Sequence, residues 1–390
     1  MFLSNTVVQS FRKFASAFFD RSLRKLASDV GIHSTANGCS LQMSVAGRSL
    51  SCSVACKAGE EPLAESVSIS SDFFDQLAQS TGDVEFGPVE STENGSRFTV
   101  GWQTGVAIRY AELDVLTPQD FLDESVTLSK IDERFLPCLA HAFEVADPIS
   151  TRYALGCVQL DGRDGTMAAT DGSQMLRFDG FEFPWKSEAL LIRKSRLFAL
   201  KDFVHLKQVS VGFQDKAIVI ASGPWRFTFP VELDARFPIV DRVIPQRQSS
   251  TNRVQLDSGD RDALGSCLSQ LPGNTEEMKA VIMDLNGHVA VIGKSNQGKE
   301  CTVSLELDRS LHLGPDLRIG TSRQNLEFVS KFGADSLYLF GPKQPILACG
   351  PRMQYVWMPL CNLDLQIEFA DSQCVRTSTI AASNKRRKAS

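Results

Sequence analysis

The sequence predicts an α+β protein built from three tandem copies of one domain, each with two helices packed on antiparallel sheets. Two observations predict this architecture. A polar start, a short Phe/Leu-rich helix and a following strand recur three times, at intervals of roughly 120 to 130 residues. Alternating apolar and polar runs, joined by short Gly-containing turns, indicate antiparallel hairpins in each copy. The predicted domains are residues 1–123, 124–250 and 251–362, followed by a C-terminal extension, 363–390, which we expect to be disordered.

The recurring motif reads SISSDFFDQLAQSTGDVEFGP from Ser68, LIRKSRLFALKDFVHLKQVSVGF from Leu191 and RIGTSRQNLEFVSKFGADSLYLFGP from Arg318. Another helix is predicted before each motif, as VVQSFRKFASAFF, LSKIDERFLPCLAHAF and GDRDALGSCLSQL, and each leads into hairpins. The period exceeds that of solenoid repeats, so each copy is a whole domain. Tandem domains related by a constant rotation close into a ring or extend without limit, and three can close a ring by pairing head to tail with one or more copies of the chain.

Composition fits a folded protein of several domains. The chain is 43% hydrophobic and 22% charged, and its 390 residues exceed what one core usually supports. No apolar run approaches the roughly 20 residues that a bilayer span requires, so we expect no membrane partner. The N-terminal segment has apolar residues at helical spacing with basic residues between them, which favours an amphipathic helix over a targeting peptide. The ten cysteines show no CxxC spacing, so we interpret them as core residues of a reducing compartment.

No catalytic signature is apparent in the sequence. The segment GKSNQGK from Gly293 matches the GxxxxGK of a phosphate-binding loop, but Glu300 follows it where Ser or Thr would bind magnesium. The next residues, CTVSLEL, alternate like a strand, so we expect a hairpin loop and not a loop that opens a helix. The five histidines have no metal-ligand spacing, and we expect neither a metal nor another cofactor.

Three stretches carry a family resemblance. They are RYALGCVQLDGRDGTMAATDG, ELDARFPIVDRVIP and QYVWMPL, of which FPxxxRVIP from Phe237 to Pro245 is the most specific. In their order and spacing they resemble three signatures of the bacterial DNA polymerase III beta subunit, the sliding clamp. The resemblance covers the chain from about Ser68 to Leu360 and is that of a divergent member, since the first domain lacks an equivalent of the ATDG at Ala169.

The resemblance implies a non-catalytic clamp, in which two chains form a homodimeric ring of six similar domains around double-stranded DNA, with the helices lining the hole. It also implies a pocket for short hydrophobic peptides of DNA polymerases and clamp loaders. Mostly apolar walls with an arginine at the rim suit peptides anchored by aromatic or leucine side chains. Carried over position by position, the pocket consists of Leu155, Thr170, Gly172, Met175, Pro238, Arg242, Val243, Val356, Met358, Pro359 and Leu360.

The chain has a formal net charge of −5, but DNA binding depends on where charge lies and not on its sum. We expect basic residues on the helices to attract phosphates without reading sequence. The expected DNA-facing residues are Arg12, Lys13, Arg24, Lys25, Lys130, Arg134, Arg152, Tyr153, Lys194, Arg196, Lys201, Arg323 and Lys331. Phe121 and Leu268 are the candidate dimer-interface residues, and the basic KRRK tail from Lys385 is expected to add a weak phosphate contact.

Departures from the family pattern keep other functions open. Ser173 and Gln174 stand where basic or His residues are usual, Cys361 replaces a common Arg, and the chain continues beyond it. A clamp-fold scaffold, or a secondary clamp paralogue in repair, would bind peptides without supporting bulk replication. A third possibility, a nuclease or polymerase accessory enzyme, needs an acidic metal cluster that the sequence does not show. The resemblance implies a cytoplasmic, nucleoid-associated protein.

Overall fold

The structure is a computed structural model that describes residues 1–20, 23, 29–35, 37–55, 60, 63, 65–92, 95–116, 126–147, 149, 154–273, 279–295, 301–361, 365 and 372–380. The helices are α1 (Asn5–Phe18), α2 (Ser71–Leu77), α3 (Phe135–Val145), α4 (Lys201–Val204), α5 (Ser258–Cys267) and α6 (Arg323–Lys331), and residues 377–380 form a last helical turn. Short 3₁₀ helices lie at Arg196–Ala199, Val240–Arg242, Arg247–Ser249 and Leu268–Gln270. None of the helices in these ranges is both long and apolar enough to cross a membrane.

The strands, in chain order, are β1 (Phe2–Leu3), β2 (Asp29–Thr35), β3 (Gly38–Val45), β4 (Arg48–Ala55), β5 (Val67–Ser70), β6 (Val84–Thr92), β7 (Gly95–Thr104), β8 (Ala107–Asp114), β9 (Ser129–Lys130), β10 (Cys157–Asp161), β11 (Thr166–Thr170), β12 (Gln174–Phe178), β13 (Ala189–Arg193), β14 (Ser210–Gln214), β15 (Ala217–Ser222), β16 (Trp225–Pro230), β17 (Asn252–Gln255), β18 (Ala280–Asp284), β19 (Ala290–Ser295), β20 (Cys301–Glu306), β21 (Leu311–Leu313), β22 (Arg318–Ser322), β23 (Ser336–Leu339), β24 (Ile346–Gly350), β25 (Met353–Trp357) and β26 (Ser372–Arg376).

The chain divides into two compact units. The first consists of Met1–Phe143, Cys157–Gly165 and Phe181–Ala235, and the second of Glu144–Gly156, Thr166–Gly180 and Arg236–Ser390. The first unit contains a four-stranded sheet, β1-β6-β7-β8, and an eight-stranded sheet, β5-β2-β3-β4-β16-β15-β14-β9. In the second unit, β11-β12-β25-β24-β23-β17-β21 lie side by side in one sheet, and β22-β18-β19-β20-β26 form another. The units therefore do not coincide with the three domains predicted from the sequence, because the division falls inside the second.

The three-fold repeat is present in the structure. In each copy a short first strand pairs with the strand that follows the second helix, as β1 with β6, β9 with β14 and β17 with β23. The first hairpin strand pairs with the strand before that helix, as β2 with β5, β10 with β13 and β18 with β22. All of these pairings are antiparallel. The predicted α+β class, with helices on antiparallel sheets, is confirmed.

One pairing rule connects consecutive copies. We call β4, β12 and β20 the outer hairpin strands, and β8, β16 and β25, the last strand of each copy, the terminal strands. In the first unit β4 pairs antiparallel with β16, with Cys52 opposite Trp225. In the second unit β12 pairs antiparallel with β25, with Gln174 opposite Trp357. The outer hairpin strand of one copy thus pairs with the terminal strand of the following copy.

The N-terminal segment forms the amphipathic helix that the sequence predicts. Phe11, Phe14 and Phe18 recur at helical spacing on one face of α1 and are almost fully buried. The Phe14 ring lies 4.7 Å from the Trp225 ring and 5.4 Å from the Phe227 ring, edge to face. This aromatic cluster fixes α1 on β16, and it leaves the basic residues of the helix toward solvent.

Two predicted elements are wrong in part. The segment LSKIDERFLPCLAHAF was expected to be one helix, but Ser129–Lys130 forms β9 and α3 begins only at Phe135. The Asp132 carboxylate accepts the Arg134 backbone N–H at 2.8 Å in the intervening turn, so a side-chain hydrogen bond competes with helix there. The expected disorder of the C-terminal extension is wrong for residues 372–380, which include β26, whereas KRRK lies outside the described residues.

The hairpin interpretation of GKSNQGK is confirmed at its flanks. β19 pairs antiparallel with β20, with Ser295 opposite Cys301, and residues 296–300 lie outside the described part of the chain. Nine of the ten cysteines lie in the described part of the chain, and six of the nine are buried. Burial raises the pKa of the Cys52 and Cys138 thiols to about 12, so these are unreactive core side chains.

Candidate peptide-binding site

All of the predicted pocket residues lie in the second unit, and two strand pairings bring several of them together. Thr170 of β11 lies opposite Met175 of β12, and Met175 lies opposite Val356 of β25. Directly opposed residues of antiparallel strands share a face of the sheet, so these three side chains form a row. Each is less than a tenth exposed. The three side chains of the row are therefore buried and do not themselves form an open surface for a ligand.

The ATDG turn between β11 and β12 is held by its own polar groups. The Asp171 Oδ1 atom accepts the backbone N–H of Ser173 at 2.8 Å, and the N–H of Gly172 donates to Thr170 Oγ1 at 3.0 Å. Gly172 has φ +93°, a conformation that L side chains rarely adopt. A Cβ atom there would lie 3.8 Å from Leu155 Cδ1. The turn thus places Leu155 beside one end of the row.

Aromatic side chains fix the opposite face of β25. The Tyr355 ring lies 5.9 Å from the Phe328 ring and 5.5 Å from the Phe332 ring, both on or next to α6. The Trp357 indole Nε1 donates to Thr321 Oγ1 at 3.0 Å, with both side chains buried. Since successive strand residues point to opposite faces, this packing determines that Val356 points toward the predicted pocket face.

The FPxxxRVIP segment alternates between buried and exposed apolar residues. Phe237 and Val240 are 8% exposed, whereas Ile239 is 52% exposed. Its 3₁₀ helix is connected to β12 by an ion pair, in which the Asp241 Oδ1 atom lies 3.7 Å from Arg177 Nη1. The sequence prediction did not include Ile239, although its place between Pro238 and the arginine of the motif could have indicated an exposed apolar residue.

The end of the VWMPL motif is anchored by the backbone. The N–H of Met358 donates to the Ser173 carbonyl at 3.4 Å, next to the ATDG turn, and the N–H of Leu360 donates to the Gly320 carbonyl at 2.9 Å. Pro359 is buried, but Met358 is 48% exposed. The main chain thus holds Met358 at the ATDG turn while its side chain remains accessible.

The exposed apolar side chains of the site are Ile239, Val243 and Met358, and Arg242 is exposed next to Val243. Apolar side chains with one adjacent cation suit a ligand that buries hydrophobic groups and carries a carboxylate or carbonyl oxygen. The pKa of Tyr355 lies well above its usual value, mainly because the phenol is buried and secondly because Asp171 is negatively charged. This phenol therefore stays neutral. Within the described ranges, no group of three or more His, Cys, Asp or Glu side chains could hold a metal ion.

A second concavity lies beside the motif. Arg242 and Val243 also line an open cavity of about 510 Å³, together with residues that the sequence prediction missed. These are Ile244, Pro245, Gln246, Ser249, Phe340, Gln344 and Pro345. Phe340 and the residues near it follow β23, and the repeat motif that ends there gives no sign of a pocket, so only the tertiary structure reveals that they lie near FPxxxRVIP.

The expected DNA-facing residues have diverse environments. Arg323 is wrong as a DNA-facing residue, because only 1% of it is exposed and its guanidinium donates to backbone carbonyls, including that of Leu271 at 2.9 Å. Lys130 is exposed but lies on β9 and not on a helix. Arg134, expected on the third helix, precedes it and forms an ion pair with Asp132. Arg24, Lys25, Arg152 and Tyr153 lie outside the described residues.

The remaining basic residues are partly neutralised by acidic neighbours. Arg12 pairs with Asp75 at 2.9 Å, Lys13 pairs with Asp202 at 2.6 Å, and Lys331 pairs with Glu144. The Lys194 ammonium lies 4.4 Å from the centre of the Phe143 ring. Arg196 and Lys201 are exposed on consecutive helical turns, so they remain the strongest phosphate-binding candidates of the predicted set.

The two interface candidates are not supported as predicted. Leu268 is 0% exposed, so its side chain has no surface to offer a second chain in this conformation. Phe121 lies outside the described residues. Exposed apolar residues near the end of the described first copy are instead Val106, Ile108 and Tyr110, at or next to the start of β8, and Leu116 after it.

Three repeated α+β copies, with sheets that continue from one copy into the next, define the sliding-clamp fold. The DNA polymerase sliding clamp from Bacillus subtilis matches with a TM-score of 0.73 and 14% identity, over 92% of this chain and 98% of that chain. The DNA polymerase sliding clamp from Pseudomonas aeruginosa matches with a TM-score of 0.70 and 18% identity, over 92% and 99%. The DNA polymerase III beta chain from Streptococcus pneumoniae matches with a TM-score of 0.70 and 15% identity, over 92% and 98%.

No protein-family model matches the sequence, and no curated protein sequence matches it. With identities below 20%, the structural likeness shows the fold. The chain therefore has the fold of DNA polymerase III beta-subunit sliding clamps and is divergent in sequence from these neighbours.

Proposed function

We propose that the chain is a non-catalytic DNA sliding clamp, which encircles double-stranded DNA as a homodimer and holds DNA polymerase and other replication or repair proteins through the peptide-binding site. The observation that carries this proposal is the likeness to sliding clamps over 92% of the chain, with nearly the whole of each neighbour covered. A clamp of this kind would act in the cytoplasm on the nucleoid.

The pairing rule supports closure by two chains. Outer hairpin strand β4 pairs with terminal strand β16, and β12 pairs with β25. Among the described residues, outer hairpin strand β20 of the third copy pairs with no terminal strand. Applied once more, the rule pairs β20 with β8 of a second chain, and two such contacts complete a closed, two-fold symmetric assembly.

The charge distribution supports a protein that stays on DNA because its ring is closed, and not because it binds DNA tightly. Arg12, Lys13 and Lys331, which were expected to face DNA, each have a carboxylate partner. Exposed ion pairs of this kind leave little net positive charge for phosphates. A closed ring needs only weak, sequence-independent attraction, because it leaves DNA by opening or by sliding off an end.

The exposed apolar residues support the peptide-binding role. Val243, Met358 and Ile239 are each about half exposed, and Ile239 and Met358 directly adjoin buried residues of their segments. We propose that they contact Leu or aromatic side chains of a partner peptide, with Arg242 at the rim. Polymerase and clamp-loader peptides are the partners that the clamp function implies.

The test is retention on DNA of defined topology. The protein is incubated with nicked circular plasmid and passed through a sizing column at a salt concentration that removes non-specific binding. We expect co-elution with the circle, loss after the same plasmid is linearised, and recovery when both ends are blocked by streptavidin. Equal retention on open linear and circular DNA, or none on either, would contradict encirclement.

A second candidate function is favoured by one observation. β26 already lies along β20, the strand that the pairing rule assigns to a second chain. A clamp-fold scaffold or secondary paralogue, which binds peptides as a monomer without encircling DNA, would have this feature. Peptide binding by a chain that remains monomeric at all concentrations and never stays on circular DNA would favour the scaffold.

A further inference from the structure

The edge of β20 is occupied by the C-terminal segment. β26 pairs with β20 in parallel over five positions, from Thr302 opposite Ser372 to Glu306 opposite Arg376. β19 pairs with β20 on its other side, so both edges of β20 are used. The two pairings between consecutive copies are antiparallel, which sets the β20–β26 pairing apart from the repeat.

The edge strand β8, unlike β20, has a neighbouring strand on only one side within the described chain. β8 ends its sheet, with β7 on one side and no strand of the described chain on the other. Ile108 and Tyr110 are each 65% exposed on this strand, and Val106 in the turn before it is fully exposed. An eight-residue edge strand with exposed apolar side chains is typical of a strand that pairs with another chain.

We infer that β26 is a built-in cap, which competes with β8 of a second copy for the edge of β20 and so controls closure of the ring. The inference rests on the proposed clamp function. One edge of a strand can satisfy its backbone N–H and C=O groups with only one neighbour, so the two pairings exclude each other. The chain closes only when the C-terminal segment leaves β20.

The cap is anchored mainly at one residue. Thr377 is fully buried, and its hydroxyl lies 2.6 Å from Asp260 Oδ1 and 2.9 Å from Asp308 Oδ1. The Ser378 N–H donates to Asp308 Oδ1 at 3.1 Å. The Arg376 Nε–H donates to Glu306 Oε2 at 3.0 Å, in an exposed pair that contributes little.

The rest of the cap is poorly buried. Residues 373–376, which cover most of β26, are all exposed, and Val375 is the only aliphatic side chain among them. Segments with few buried apolar contacts open at low free-energy cost. The cap is therefore held by backbone hydrogen bonds and by the polar contacts of Thr377, Ser378 and Arg376, and a second chain that supplies a longer, apolar strand can displace it.

A disulfide tests the cap by locking it. Ser304 lies opposite the native Cys374 in the β20–β26 register, and adjacent strands satisfy the Cα separation that a disulfide needs. In full-length Ser304→Cys protein, oxidation should lock β26 on β20. The control carries Ser304→Cys with Cys374→Ser and cannot form this bond. Mass spectrometry of peptides confirms which cysteines are joined.

Sedimentation velocity over a concentration series is the readout. We expect the oxidised Ser304→Cys chain to be monomeric where the reduced chain dimerises, with an apparent dimer Kd at least about tenfold weaker, because the competent fraction is removed. The double variant should respond to oxidant no more than the wild type. If the oxidised chain dimerises as well as the reduced chain, β26 does not block the interface and the inference is wrong.

A second variant tests release of the cap. Thr377→Glu places a carboxylate against Asp260 and Asp308, so it should expel the segment and make the apparent dimer Kd about tenfold tighter or more. Thr379→Glu adds the same charge at an exposed position and is the matched control. Equal dimerisation of the two variants would contradict the cap.

The outcomes also separate the cap from the clamp. A locked chain that dimerises and stays on circular DNA disproves the cap and leaves the clamp proposal standing. If neither the reduced chain nor Thr377→Glu dimerises or stays on circular DNA, both proposals fail.

Discussion

The Arg323 guanidinium donates to the backbone carbonyl of Leu271 at 2.9 Å, and the arginine is almost completely buried. It also bonds to the carbonyls of Leu268 and Pro272. Carbonyls at the end of a helical segment lack intrahelical partners, and Arg323 supplies donors to those of Leu271 and Pro272, just after the 3₁₀ helix Leu268–Gln270. The Leu268 carbonyl also accepts the Leu271 N–H. The first residue of α6 thus connects the two helices of the third copy.

Arg323→Ala should lower the free energy of unfolding by about 3 kcal/mol, because it leaves buried carbonyls without donors and creates a cavity. Urea unfolding at pH 7 measures the change. Lys331→Ala, at the other end of the same helix, removes only an exposed ion pair and should cost less than about 1 kcal/mol. A loss of DNA retention by Arg323→Ala without a loss of stability would restore it as a DNA-facing residue.

Val243→Glu should weaken peptide binding about tenfold, since it replaces an exposed apolar contact with a charge that resists burial. The probe is a labelled hexapeptide ending in Leu-Phe, and fluorescence anisotropy gives its Kd. The control peptide has Ser at both positions. Leu313→Glu is the matched control variant, because Leu313 is 50% exposed on β21, at the far end of the same sheet from β12. Equal weakening by the two variants would show that the effect is non-specific.

Asp260→Asn should reduce the dependence of stability on acid pH. Burial opposes ionisation of Asp260, but hydrogen bonds from Thr377, Ser310 and Arg309 together outweigh it and lower its pKa. The unfolded carboxyl has a pKa near 3.9, so the ionised group stabilises the folded chain fully above that pH. This stabilisation is lost as the pH falls through the lower folded-state pKa.

Urea unfolding of wild type and Asp260→Asn between about pH 5 and pH 2.5 measures this difference. We expect a shallower loss of stability in the variant, together with lower stability at neutral pH. Curves that run parallel over the whole range would mean that Asp260 has no shifted pKa in the folded chain.

Arg196→Glu combined with Lys201→Glu should slow association with circular DNA and reduce the slope of log affinity against log salt by about 2. Once the protein is on the circle, its dissociation should be unchanged, because closure and not attraction retains it. Lys207→Glu combined with Lys216→Glu changes charge equally at exposed positions outside the helical turns. If both pairs slow association alike, the effect reflects net charge and not a helix surface.

The sequence was most informative where structure is local. Periodic apolar residues predicted α1, and Gly-containing turns predicted the hairpins, because both depend on neighbouring residues. It failed where tertiary contacts decide. Lys130 was assigned to a helix, but pairing with β14 makes it a strand residue. In the sequence, Arg323 is typical of the polar face of a helix. It is buried because its guanidinium binds backbone carbonyls of a segment that is distant in the chain.

The site shows the same division. ATDG and FPxxxRVIP located Gly172 and Val243, since such motifs fix local backbone geometry. Phe340 and its neighbours could not be found, because nothing in their own sequence indicates which segment lies beside them. β26 was missed for a related reason: a short polar strand is stable only on a preformed edge.

The outer hairpin strands of the first two copies each pair with the terminal strand of the following copy. The repeated segment of sequence is therefore not the part of the chain that folds by itself. The second copy excised alone would carry two bare strands, β12 and β16, each deprived of a neighbour that now covers it. Protease cuts at the copy boundaries should therefore release aggregating fragments, whereas loss of structure on heating should follow the two compact units.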